Sequence, residues 1–165
     1  MEQRLQNLKN YFLNYFEYNL ISNQMLLRAM DRLPDPKEAL ELFKELIDSH
    51  RQWLRCMKTN GWSKETLKIQ GLAALQTQWR GAIDDWCSFI SSTELNDLQS
   101  PMLVVCLKDG DAKLVTVRDI AFQLNSMSLY VREQIVRIFR VQNCEPPHTD
   151  HVFSALRTSA AEVNA

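Results

Sequence analysis

Glycine and proline are scarce in this chain, four and five among 165 residues, and none cluster before the Pro146-Pro147 pair near the end. No stretch therefore reads as an interdomain linker, and the length suits one ordinary domain with a core of its own. An excess of charge is also missing. Nineteen Lys and Arg against twenty Asp and Glu give a formal charge of -1, so no global field favours phosphate backbones or anionic membranes, and nucleic acid is not an expected partner. Cysteine pairs are absent too: Cys56, Cys87, Cys106 and Cys144 stand singly, without the spacing of a zinc knuckle or disulfide framework. They read as reduced, small apolar residues. No apolar run approaches the roughly 20 residues that span a bilayer. The opening MEQRLQNLKNYF is charged and amphipathic rather than signal-like, so a cytoplasmic location without membrane contact is expected. Internal repeats, a Ser-His-Asp set, a glycine-rich phosphate loop and a dinucleotide fingerprint are all missing.

What remains is helical periodicity. From about Leu5 to Met30, apolar residues at Leu5, Leu8, Phe12, Phe16, Leu20, Met25, Leu26 and Met30 trace one face of a long helix. Leu33-Pro34-Asp35-Pro36 ends it, since the residue before a proline is pushed out of helical geometry. Asp35 offers an N-cap oxygen, Pro36 suits the first helical position, and Glu38 completes a capping-box pattern. A second helix then runs to about Met57 on Leu40, Phe43, Leu46, Ile47, His50, Trp53 and Leu54, and Asn60-Gly61 signals its end. With Ser63 as its cap, a third helix is expected from roughly Lys64 to Ser91, carrying Leu67, Leu72, Leu75, Trp79, Ala82, Ile83, Trp86 and Ile90. Gly71 and Gly81 inside it read as close-packing or soft points.

The pattern then changes to two β-prone runs, Met102 to Leu107 and Ala112 to Val117, around Lys108-Asp109-Gly110-Asp111. They read as a short hairpin. Thr116 with Asp119 caps a last long helix striped by Val117, Ile120, Ala121, Leu124, Met127, Ser128, Val131, Ile135 and Ile138. Glu145 to Asp150 reads as a stiff connector, with Thr149 or Asp150 capping a brief helix through Leu156, and 158–165 as a frayed tail after a domain of 1–157. Four helices joined by short connections predict an all-α, antiparallel four-helix bundle with a hairpin before the last helix.

Several strings in this order, YFEYNLISNQMLLRAMDRLP, ELIDSHRQWL, VVCLKDGDAKLVTVRDIAFQL and REQIVRIFR followed by EPPHTD, resemble the DinB/YfiT-like metalloenzyme superfamily over nearly the whole chain. The resemblance implies a DinB-like bundle that forms homodimers and in which three histidines, one on helix two and an H-x-x-x-H pair on the last helix, hold a divalent cation. Here Glu45, Met127 and Val131 fall at those three positions. Thioether sulfur is a soft, weak donor and valine donates nothing. The expectation is therefore a degenerate member with no cofactor, whose pocket, rimmed by Glu45 with His50 and Tyr130 nearby, takes a small apolar ligand or supports self-association. The alternative is a metal-dependent hydrolase or thiol transferase around a rebuilt site, its catalytic residues unknown.

Other candidates read more simply as structure. His50 sits on the apolar stripe of helix two and suits a core histidine better than a relocated ligand or base. His148, Asp150 and His151 have tolerable ligand spacing, but they follow Pro-Pro close to a fraying end. Asp84 and Asp85 point about 100° apart on a helix and, with Glu94, read as a solvated face rather than paired carboxylates. Trp53, Trp62, Trp79 and Trp86 suit core packing first and an interface second. Cys56 and Cys87 lie at no helix start that would activate a thiol.

Overall fold

The computed structural model describes residues 2–59, 68, 71–105 and 112–150. Its elements are α1 (Glu2–Ala29), a 3-10 turn (Met30–Arg32), α2 (Lys37–Thr59), α3 (Leu72–Ser92), a second 3-10 turn (Asn96–Leu98), β1 (Met102–Val105), β2 (Ala112–Val115) and α4 (Val117–Val141).

Local chemistry sets most of these boundaries. Asp35 Oδ1 accepts from the Lys37 amide at 3.2 Å, so the acid before Pro36 does serve the start of α2. Thr116 caps α4 in a reciprocal capping box: its Oγ1 accepts from the Asp119 amide at 3.1 Å, and Asp119 Oδ2 accepts from the Thr116 amide at 3.2 Å. The Thr116 hydroxyl also donates to Asp119 Oδ2 at 2.7 Å, and that bond first, with Arg118 and the Thr116 amide after it, holds the Asp119 carboxyl below its ordinary range. At the far end of α4, Asn143 adopts φ 56°, the left-handed position that asparagine tolerates. There the Cys144 amide closes back on Phe139 O at 2.8 Å.

α3 departs from expectation. It starts at Leu72 rather than near Lys64, because Gly71 stands at its N-cap with φ 83° and Lys68 is not helical. Residues 60–67, including Asn60, Gly61, Trp62 and Ser63, lie outside the described residues. Gly81 is inside the helix, yet a Cβ built there meets nothing within 4 Å, so it is not a close-packing point.

The helices form a ring in the order α1, α3, α2, α4. α3 runs antiparallel to α1: Lys9 Nζ donates to Ser91 O and Thr93 O, Phe16 stacks on Trp86, and Arg80 reaches Gln24. α2 and α3 run parallel, since Phe43 packs on Trp79 and, two turns on, His50 O accepts from Trp86 Nε1. α1 and α4 also run parallel, with Phe12 on Phe122, Asn19 on Asn125 and Asn23 on Ser128. α2 and α4 are antiparallel, Asp35 meeting Gln142 at one end and Met57 sharing a cavity with Val117 at the other.

Each helix thus has one parallel and one antiparallel neighbour, where short connections had predicted antiparallel neighbours throughout. The two differences share one cause. A parallel α2–α3 pair requires the chain to travel back along α2, whose 23 residues rise about 34 Å. Twelve residues separate Thr59 from Leu72 and reach about 40 Å when extended, whereas the four left by a helix starting at Lys64 reach about 14 Å.

β1 and β2 pair antiparallel from Met102 opposite Val115 to Val105 opposite Ala112; the intervening 106–111, with Cys106 and the Asp109-Gly110 turn, lies outside the described residues. The same holds for 151–165, and so for His151, the brief helix and the tail. The core joins Phe12, Phe16, Leu26 and Leu27 of α1, Phe43, Leu46 and Ile47 of α2, Trp79 and Trp86 of α3, and Ile135 and Phe139 of α4, all buried. No helix among the described residues is long and apolar enough to cross a membrane.

Candidate functional site

The antiparallel register of α2 and α4 brings Glu45 to the height of Tyr130 and Val131. Their side chains do not converge. Glu45 is exposed, Tyr130 is 62% exposed, Val131 is buried, and Met127 is half-buried against the core. An exposed carboxylate, a thioether and a valine do not fit a divalent cation in place of three imidazoles. Among the described residues no three His, Cys, Asp or Glu side chains gather as a cation site.

His50 is a core residue. Its Nδ1 lies 2.8 Å from Leu46 O, and because a carbonyl only accepts, that nitrogen carries the proton. The ring packs edge-on against Trp79 at 5.0 Å and Phe16 at 6.3 Å. Burial pushes its pKa down to about 4 against the opposing effect of the Leu46 hydrogen bond, so the imidazole is neutral near pH 7. Its Nε2 and the Trp79 indole nitrogen are both buried without a hydrogen-bond partner.

The remaining candidates fall as surface or core. Asp84 and Asp85 are exposed, and Trp79 and Trp86 are fully buried. The Cys87 thiol is raised to about 11, by burial first and by Asp84 and Glu17 next, which keeps it a thiol at neutral pH. Cys56 is buried. His148 and Asp150 sit on a small polar cavity of about 170 Å³ beside Glu133 and Arg140.

Two features escaped the sequence reading. The first is a cavity of about 380 Å³ at the end of the bundle where α2 and α3 finish and α4 begins. Met57, Phe89, Met102 and Val117 supply its apolar lining, and Ser92, Thr93, Glu94, Asp97 and Ser100 its polar one. The wall is held by the end of α3: Thr93 Oγ1 donates to Phe89 O at 2.7 Å, and Lys9 Nζ from α1 donates to Ser91 O and Thr93 O at 2.7 and 2.8 Å. A cation on the last carbonyls of a helix is where its dipole favours one. No motif marks this cavity in sequence, because its lining comes from five separate elements.

The second is a buried polar network between α1 and α4, centred on Arg132, which is 1% exposed. Its Nη1 donates to Asn19 Oδ1 at 2.8 Å and Asn23 Oδ1 at 3.3 Å, and its Nη2 to the Tyr18 hydroxyl at 3.2 Å. Tyr18 in turn donates to Thr149 O at 2.6 Å, which ties the segment after α4 back onto α1, and its ring faces the guanidinium at 4.8 Å. Arginine only donates, so both asparagines must turn their oxygens towards it. Asn19 Nδ2 then donates to Asn125 Oδ1 at 2.7 Å, which leaves Asn125 Nδ2 buried without a partner. Among the described residues ion pairs join Lys44 to Glu41 and Arg118 to Asp119, and the hydrogen bonds that Arg132 makes there go to neutral oxygens. Burial pulls its pKa down, opposed by the nearby Tyr18, Tyr15, Glu133 and Asp150. The signal was present in the sequence: Asn19 and Asn23 fall three and seven residues after Phe16, on the stripe that should be apolar.

No family model, curated protein or solved structure matches this chain.

Proposed function

We propose that this chain is a degenerate DinB-like bundle protein that works by binding a small, mainly apolar molecule or by self-association, without the three-histidine metal chemistry of that superfamily. The observation that carries the binding reading is the end cavity. Its volume of about 380 Å³ lies within the roughly 300–1,000 Å³ of small-molecule sites, and it pairs an apolar lining with a few polar groups that can orient a ligand. Met57 and Met102 add polarizable side chains that adapt to irregular shapes. The donor set at Glu45, Met127 and Val131 supports the same reading, since it offers one exposed carboxylate where the superfamily pattern has three ligands.

A neutral naphthalene fluorophore tests it. The wild-type protein should bind the dye saturably with blue-shifted emission. Ser100→Trp, which projects an indole from the half-buried wall into the cavity, should abolish the signal while leaving the far-UV spectrum unchanged. Equal dye binding by the folded variant would show that the cavity is not the site and would sink the proposal.

A further inference from the structure

Large apolar side chains are exposed on α1, β2 and α4. Among the described residues they are Tyr11 and Ile21 on α1, Leu114 on β2, and Phe122, Leu129, Tyr130 and Val141 on α4, with none on α2 or α3. Tyr11 and Phe122 stand 6.2 Å apart across the α1/α4 seam, and Phe122 in turn rests on the buried Phe12 at 5.0 Å. Phe122 and Leu129 are 43% and 46% exposed, and between them Ser126 is exposed and uncharged.

The order of residues along this face of α4 is self-complementary. Arg118, Phe122, Ser126, Leu129 and Glu133 recur at helical spacings of three and four, so they share one stripe. Phe122 and Leu129 lie symmetrically about the point between Asn125 and Ser126, and so do Arg118 and Glu133. A copy of α4 laid antiparallel on this stripe therefore sets Phe122 against Leu129 of the second copy and Arg118 against its Glu133, each pair occurring twice. A parallel copy would set Arg118 on Arg118 and Glu133 on Glu133, which like-charge repulsion opposes. Arg118, with its side chain 40% exposed and an Asp119 oxygen 3.2 Å away, keeps donors to spare for a second carboxylate.

We propose that the α1/α4 seam is a homodimer surface whose partner is a second copy of this chain, docked with the two α4 helices antiparallel about a two-fold axis between Asn125 and Ser126. This assignment rests on the self-association reading above and adds the surface and its register. Such an interface is isologous and closed, so it stops at two copies.

Sedimentation velocity on the full chain over a range of concentrations tests it. Wild-type protein should dimerise. Leu129→Glu should weaken the dimer by at least about tenfold. R118E and E133R should each weaken it, and the R118E/E133R double variant should return to within about threefold of wild type, because the swap restores both pairs. If Leu129→Glu disturbs the monomer's melting temperature, the charge swap still decides. A wild-type protein that is monomeric at every concentration overturns both the surface and self-association. A dimer indifferent to Leu129→Glu and to the charge swap overturns this surface alone.

Discussion

Replacing Arg132 by methionine should destabilise the fold by about 3 kcal/mol, although it removes a buried charge that has no ion-pair partner among the described residues. The side chain is 1% exposed and donates to Asn19 Oδ1, Asn23 Oδ1 and the Tyr18 hydroxyl. Methionine fills much of the volume but leaves those three oxygens without this donor. A buried polar group stranded in this way costs about 1–3 kcal/mol. Asn19 Oδ1 holds the shortest of the three bonds, at 2.8 Å, so it loses most; Asn23 Oδ1, at 3.3 Å, loses less. The Tyr18 oxygen keeps its own bond to Thr149 O and loses least. Against a gross loss of about 5 kcal/mol stands the relief of guanidinium desolvation, a couple of kcal/mol after relaxation. Urea denaturation followed by circular dichroism reads the difference, and for a domain of this size about 3 kcal/mol lowers the melting temperature by about 10 °C. The quadruple variant Asn19→Leu, Asn23→Leu, Asn125→Leu, Arg132→Met removes the stranded acceptors together with Asn125, whose Oδ1 accepts from Asn19, and should recover at least half of the loss. An Arg132→Met protein within about 0.5 kcal/mol of wild type would refute the view that these three oxygens depend on this cation.

Two further expectations follow from backbone and titration. Because His50 has a folded pKa of about 4 against an ordinary 6.5, the unfolded chain binds its proton first as pH falls. Its contribution is complete above pH 6.5 and drains away down to about pH 4, a loss of about 3 kcal/mol. The difference in stability between wild type and His50→Gln, measured from pH 7 to 4 in urea, should carry this slope; a flat difference would refute the assignment of a neutral buried imidazole. Gly81→Ala should stabilise by about 0.5–1 kcal/mol, since the added Cβ meets nothing and α3 loses a flexible residue. Gly71→Ala, at φ 83°, should destabilise by about 1–2 kcal/mol. Thermal melts of both variants would expose an error in either sign.

Features encoded within a turn or two of chain were legible from the residues alone. The extents of α1, α2 and α4 follow from periodicity, and the Asp35 and Thr116/Asp119 caps from hydrogen bonds that span three residues or fewer. The inward place of His50 follows from the stripe that it shares with Leu46, Ile47 and Leu54. Where the pattern was ambiguous, at the glycine-flanked start of α3, local signals pointed to a longer helix and from there to short connections and antiparallel neighbours.

The rest arises from packing. Which helices lie side by side, and in which sense, depends on how far a connection must travel, a distance that no local pattern carries. The Arg132 network draws its members from α1, α4 and the segment after α4. The end cavity is assembled from five elements, with the end of α3 tied by Lys9 from the other end of the sequence. Burial and unpaired hydrogen-bonding groups are properties of surfaces brought together, so they come into being only when the helices pack.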